Sequence, residues 1–283
     1  MIDLHTHSTA SDGTLEPEAL VELAAKKKLT AVALTDHDTV AGVPRAEAAG
    51  RRLGLEVVPG VEVSVEAEKG AMHLLGYFVR PQDELLREKL SQWCHSRQQR
   101  ARRMVARLAE LGFEISYAQV EELAGSASIG RPHVARVLMK ARVVRSVDEA
   151  FERYLRRGRP AYVPRQMPEA AEAIALIRSA GGVPVLAHPA TLWLKGAELE
   201  ARVKALRAQG LEGIEIHWSG HTTRQRRELL ALAKKLGLAV TGGSDFHGDN
   251  KPGIQLGSGR RGNVRLPEAL LDALRQRTKS LPL

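Results

Sequence analysis

His5 and His7 stand two residues apart in IDLHTHSTASDGT, and Asp12 follows five residues later. Side chains two apart in a strand project to one face, so both imidazoles can aim at one point where a strand gives way to a loop. Imidazole and carboxylate together suit divalent transition ions, although two solvated loop histidines would also fit an isolated H-x-H. The pattern is not isolated. Asp36-His37-Asp38 in ALTDHDT, Glu62 in PGVEVS, His73 in AMHLLGY, His188 in LAHP, and Asp245 with His247 in GSDFH each accompany an apolar run. One histidine at a strand end is ordinarily a satisfied structural residue. Six predicted strands that all place such groups at their carboxyl ends point to one pocket holding more than one metal ion.

The elements that must carry these groups alternate. IDLHTH leads to a helix over Glu16 to Lys28, with Thr14 as a cap and Pro17 in its first turn. TAVALTDHDT, a helix over Val43 to Leu53, LEVVPGVEVSVEAE and AMHLLGYFV follow. Further on, helices from Pro168, Glu198 and Thr223 lead into VPVLAHP, GIEIHWSG and AVTGGSDFH, and the last helix begins near Pro267. This alternation argues for an α/β domain with a parallel sheet surrounded by helices, whose loops after the strands share one face. The intervening stretch reads as helical throughout. We therefore expect residues 1–84 and 164–283 to form two portions of one barrel, interrupted by an all-α insertion over 85–163.

Composition narrows the classes. The 283-residue chain is 43% hydrophobic and carries one cysteine, Cys94, which excludes an intrachain disulfide and is assigned to packing. No apolar run approaches the ~20 residues a membrane span needs, and no charged-then-apolar leader precedes the first strand. The expectation is a globular, cytoplasmic protein with no membrane association and no obligate protein partner. The formal charge is +9, and between Leu85 and Val163 there are 16 Lys and Arg against 8 Asp and Glu. In SRQQRARRMVARLAELG, Met104, Leu108 and Leu111 form part of an apolar helical stripe, and arginines cover the other faces. Such a surface is either plainly solvated or attracts polyanions. Aromatic residues are only 4%, which gives little support to base stacking on a broad platform.

On DLHTHSTASDGT, ALTDHDT, PGVEVS, HLLGY, LAHP and GSDFH, in that order, the chain resembles the polymerase and histidinol phosphatase (PHP) domain. The resemblance implies a distorted (β/α)7 barrel with a three-metal cluster, Mn foremost, with Fe or Zn as alternatives. It implies that His5, His7, Glu62 and Asp245 hold one ion, Asp12, His37 and His247 a second, and Glu62, His73 and His188 a third, with Glu62 bridging. IGRPHVAR followed by FERYLRRGRPAYVP is similar to a subgroup containing 3′,5′-nucleoside bisphosphate phosphatases and a 5′→3′ exoribonuclease. The substrate expected is accordingly a nucleotide bisphosphate or a short 5′-phosphorylated RNA.

The chemistry expected is attack on phosphorus by a metal-bridging hydroxide, with the cations neutralising charge on the phosphoryl oxygens. His247 or Asp38 could move a proton, and Asp38 could equally brace a ligand. Arg131 and His133 in GRPH, and His221 in SGHTTR, are candidates for gripping the terminal 5′-phosphate. For Arg131 the alternative is a salt bridge at a helix start. Glu215 and His217 in GIEIHW have no assigned orientation. Rival functions are an amidohydrolase, for which no carbamylated-lysine candidate is evident, a histidinol-phosphate phosphatase, and a non-catalytic nucleic-acid-binding module.

Overall fold

In the computed structural model, which describes residues 1–125, 129–164 and 167–278, the chain divides into two compact units. One comprises Met1–Leu90 with Pro168–Leu283, the other Ser91–Met167. In chain order the first unit contains β1 (Ile2–Thr6), α1 (Pro17–Lys26), β2 (Ala31–Leu34), α2 (Val43–Leu53), β3 (Glu56–Val65) and β4 (Met72–Tyr77). The unit boundary falls within α3 (Glu84–Glu110), and the second unit continues with α4 (Tyr117–Ala124), α5 (Arg131–Lys140) and α6 (Val147–Ala150). The first unit resumes with α7 (Ala170–Ser179), β5 (Val183–Leu186), α8 (Gly196–Ala208), β6 (Gly213–Trp218), α9 (Thr223–Leu236) and β7 (Ala239–Gly243). A two-stranded ribbon, β8 (Ile254–Gln255) with β9 (Gly259–Arg260), and α10 (Ala269–Thr278) complete it.

The seven main strands lie in sequence order in one sheet. Past the ends of β1 and β7 the edges meet: the amide of His7 donates to the carbonyl of Phe246 at 2.9 Å, and that of Asp245 to His5 at 2.9 Å. The sheet thus closes on itself, which is the distorted barrel expected. The distortion has one source. β4 runs antiparallel to both β3 and β5, because only a short hairpin joins it to β3 and a parallel return needs a crossover of a dozen residues or more. His73 consequently sits at the amino end of its strand and not at the carboxyl end. The reversed direction brings that end to the same rim as the carboxyl ends of the parallel strands.

Alternation explains how one face serves both stability and chemistry. Val58, Leu75, Tyr77, Val183 and Val185 belong to a single buried apolar cluster. Glu62 lies two and four residues beyond Gly60 and Val58, and His73 two before Leu75, so each continues its strand's inward face toward the rim. Gly243 is required where β7 meets β1, since a Cβ there would lie 2.3 Å from that of His5.

Two helix details depart from expectation. Thr14 does not cap α1, whose N-cap is Glu16 without a side-chain bond; the Thr14 hydroxyl instead accepts the Asp249 amide. In the second unit Met104 and Leu108 are fully buried among Val120, Val134 and Leu138, but Leu111 is 45% exposed because α3 has ended at Glu110. Among the described residues no helix is long and apolar enough to cross a membrane.

Candidate metal centre

The rim of the first unit gathers the nine predicted ligand residues. Nε2 of His5 and Nε2 of His7 each lie 3.2 Å from Oε2 of Glu62, and 3.7 and 3.6 Å from Oδ1 of Asp245. Ligand atoms ~2.1 Å from a tetrahedral ion stand about 3.4 Å apart, so each of these imidazole–carboxylate spacings suits a shared ion, and His5, His7 and Asp245 lie close enough together to hold one. Asp12 forms a second focus: its Oδ1 is 3.3 Å from Nε2 of His247 and 3.7 Å from Nδ1 of His7, and its Oδ2 is 3.8 Å from Nε2 of His37. At the third, Oε1 of Glu62 lies 2.7 Å from Nδ1 of His73 and 2.8 Å from Nε2 of His188. The two oxygens of Glu62 thus face different foci, the arrangement a bridging carboxylate needs.

Ring tautomers are set from outside the cluster. Nδ1 of His5 donates to Oε1 of Glu215 at 2.9 Å, and Nδ1 of His247 to the carbonyl of Asp245 at 2.9 Å. Nδ1 of His188 is 3.1 Å from the Thr191 hydroxyl, which itself donates to the carbonyl of Ala71. In each case Nε2 is the nitrogen left facing the pocket, the geometry of histidines held for a metal. The backbone also bends to serve the site: Asp38, His188 and Asp245 all have positive φ, a strain that persists where surrounding structure enforces it.

The electrostatics fit a cation. Burial would raise the Glu62 carboxyl, yet His37, His5 and His73 hold it well below the usual range. Asp12 behaves likewise beside His247 and His37. Burial and the neighbouring His247 and His37 push His7 well below its ordinary value, so that its imidazole is neutral. His5 goes the other way: burial pulls it down, but Glu215, Glu62 and Asp245 raise it well above the ordinary value. Nε2 of His7 is fully buried and, although 3.2 Å from Oε2 of Glu62, is not aligned with it for a hydrogen bond. An unsatisfied buried nitrogen is a cost, and coordination would remove it. On donor chemistry, spacing and this orphaned atom, the residues fit divalent ions.

Other candidates are placed differently. Asp38 accepts the Ser64 amide at 3.0 Å, and its own amide donates to the Glu62 carbonyl; it braces the strand carrying Glu62, the structural alternative that the sequence also offered. His247 has Nδ1 committed to a carbonyl and Nε2 turned toward Asp12, the placement of a ligand candidate. His221 is placed as the loop histidine that the sequence equally allowed. Its Nδ1 donates to the Ile216 carbonyl and its Nε2 accepts the Ala190 amide, so a buried, neutral ring ties two loops together with no nitrogen left for phosphate. His133, in the second unit, accepts the Gly130 amide at 3.1 Å at the start of α5, which makes it a helix cap. Arg131 is partly buried, lies over the Phe151 ring at 5.3 Å, and has no carboxylate partner among the described residues, so the helix-start salt bridge is not formed.

Sequence reading missed several positioning residues. Glu215 is fully buried and holds both the His5 ring and, through Oε2 at 2.7 Å, the His188 amide. The signal was a single acid between Ile214 and Ile216, but an irregularity between Glu215 and His217 breaks the alternation and leaves His217 outside the cluster. Asp36 accepts from the Ser8 amide, the Ser8 hydroxyl and the Ser11 hydroxyl at 2.6–2.8 Å, which fixes the loop between His7 and Asp12 and explains the serines of HTHSTASD. Of the arginines on α3, Arg100 donates to the Val163 carbonyl at 2.7 Å, Arg107 to that of Tyr162, and Arg102 pairs with Glu121.

A closed seven-stranded barrel with imidazoles and carboxylates converging on its rim defines a class of metal-dependent barrel proteins. Residues 3–160 match the model of the PHP domain, and the chain belongs to the PHP family, as its motifs indicated. It is 35% identical over 257 residues to the 5'-3' exoribonuclease Rnm of Escherichia coli (strain K12), covering 90% of this chain and 87% of that protein. To the 3',5'-nucleoside bisphosphate phosphatase of Chromobacterium violaceum it is 33% identical over 257 residues, 90% of each. A crystal structure from Bifidobacterium adolescentis, assigned as a metal-dependent phosphoesterase, superposes with a TM-score of 0.84 at 34% identity, covering 97% of this chain and 94% of that one.

Proposed function

We propose that this protein is a metal-dependent phosphoesterase that hydrolyses the bond between O3′ and phosphorus in 5′-phosphorylated nucleotides. The observation that carries this reading is Glu62, whose two oxygens face separate groups of imidazoles. The two named relatives support the choice of bond. Removing a 3′-phosphate from a 3′,5′-bisphosphate and releasing a 5′-mononucleotide from the 5′ end of RNA both break the O3′–phosphorus link.

Three divalent ions, with Mn the first choice, fit the donor groups at His5, His7, Glu62 and Asp245, at Asp12, His37 and His247, and at Glu62, His73 and His188. When bound, they supply a water of lowered pKa and neutralise charge on the phosphoryl oxygens. The chain's own residues keep the donors ready. Glu215 and Thr191 set the rings of His5 and His188, Asp38 holds the strand bearing Glu62, and Asp36 holds the loop bearing Asp12. Such preorganisation avoids a reorganisation cost during the reaction. A binding module that had lost catalysis would not be expected to retain all nine donors and their braces.

Arg131 is the residue we assign to the terminal 5′-phosphate. Its guanidinium is partly buried, lacks a carboxylate and begins α5, where helix amides also favour an anion. The decisive comparison is phosphate or nucleotide release, with Mn, from adenosine 3′,5′-bisphosphate, a short 5′-phosphorylated RNA and histidinol phosphate. The first two should be turned over much faster than the third, and preference for histidinol phosphate would replace this reading. Arg131→Ala should slow 5′-phosphorylated substrates ~10–100-fold, the scale of a lost charge-assisted hydrogen bond, and spare 5′-hydroxyl analogues. Equal effects on both would remove Arg131 from recognition.

A further inference from the structure

Asp245 divides its carboxylate. Oδ1 faces the cluster, 3.7 and 3.6 Å from Nε2 of His5 and His7. Oδ2 faces away and receives two donors, the Lys251 ammonium at 2.6 Å and the Trp218 indole N–H at 3.0 Å. Lys251 comes from the turn after β7, which is itself tied to the loop bearing Asp12: the Asn250 amide donates to the Asp12 carbonyl at 2.7 Å, and the Asp249 amide to the Thr14 hydroxyl. One short turn therefore touches two ligand-bearing loops.

We propose that Lys251 is a positioning residue for the metal centre, holding Oδ2 of Asp245 together with Trp218 so that this carboxylate offers one oxygen to an ion. The inference rests on the reading of Asp245 as a ligand. With Oδ2 engaged by two donors, Asp245 would offer an ion Oδ1 alone, which would leave a coordination position for water or a phosphate oxygen. Catalytic metal sites need that open position, and outer hydrogen-bond partners commonly govern affinity as well as orientation.

The idea has an opposite-signed rival. An ammonium that merely sits near a cation site repels the ion, so removing it would tighten binding. One that positions a ligand does the reverse. The test is Mn affinity and stoichiometry of the full chain, measured by competition with a fluorescent chelator, for wild type, Lys251→Met and Lys251→Arg, with thermal unfolding in EDTA as the check on folding. Lys251→Met should lose ~10–100-fold in affinity for at least one ion, Lys251→Arg should recover most of it, and unfolding in EDTA should match wild type. Unchanged or tighter binding by Lys251→Met, or Lys251→Arg as weak as Lys251→Met, would overturn the proposal. Should Lys251→Met unfold early in EDTA, Lys251→Arg decides alone: affinity within a few-fold of wild type supports it, and a loss of ~10-fold or more overturns it. Wild type binding no Mn at all would instead defeat the function proposed above, which keeps the two failures apart.

Discussion

The two units use polar side chains in opposite ways. In the barrel unit, His5, His7, Glu62 and Asp245 are buried, and their partners are one another, the neighbouring imidazoles and the side chains that brace them. In the insertion unit the arginines of α3 are largely at the surface, and those with described bonds are occupied by backbone carbonyls and Glu121. Burying ionisable groups is costly unless something compensates, and stability alone does not explain gathering them at one rim. Surface arginines bonded to carbonyls need no such explanation, because each joins α3 to the segment closing the same unit. The lesson is that burial is the more informative signal: three arginines of the most basic segment hold their own unit together, and the buried donors gather where net charge is unremarkable.

The largest effect should come from Glu62→Gln. Losing a bridging carboxylate should remove several kcal/mol of transition-state stabilisation, a fall in turnover of ~1000-fold or more, with circular dichroism unchanged. Near-normal turnover would dissolve the contrast between the units. Next is Glu215→Ala, which touches no proposed ion. It frees the His5 ring and the His188 amide, so metal affinity should drop ~10–100-fold in a chelator competition assay. An unaltered affinity would make Glu215 a packing residue only.

Titration sharpens the same comparison. In metal-free protein the raised His5 contributes stability that is fully present below its unfolded value of about 6.5 and is lost as pH climbs through its folded value. The depressed Glu62, Asp12 and Asp245 contribute stability present above the unfolded carboxylate range of about 4 and lost as pH falls through their lower folded values. The depressed His7 adds a loss below about 6.5, where the unfolded chain takes up a proton that the folded one refuses. Unfolding temperature in EDTA should therefore peak near neutrality and decline on both sides, and Mn should abolish the alkaline decline by taking the place of the His5 proton. A flat alkaline limb in EDTA would contradict the assignment of His5.

The smallest effect belongs to the insertion. Arg100→Met should cost ~1.5–3 kcal/mol of stability, the worth of a hydrogen bond to a charged group, and leave metal content untouched. If stability held and RNA affinity fell with a reduced salt dependence, the arginines would be binding groups and the contrast would break.

Much of this was legible in the sequence for a definite reason. Each ligand candidate flanks or continues an apolar strand, so motifs such as HTHSTASDGT and GSDFH announce both the element and its polar rim. The seven strands and the helix over Val43–Leu53 follow from local alternation. What escaped depends on geometry that alternation does not encode. The antiparallel course of β4 reverses the end from which His73 acts. The irregularity in β6 decides that Glu215 faces inward and His217 does not. Lys251 lies in a turn with no periodicity, so its pairing with Asp245 shows only in the fold. His221 and His133 look available in sequence and are spent on backbone groups in the fold.

The central claim is that the buried imidazoles and carboxylates at the barrel rim act by holding divalent ions. Its most direct test is turnover of adenosine 3′,5′-bisphosphate by protein stripped of metal and then titrated with Mn. The account predicts no measurable turnover after stripping and recovery as more than one Mn binds per chain. Full-rate turnover by the stripped protein would contradict it.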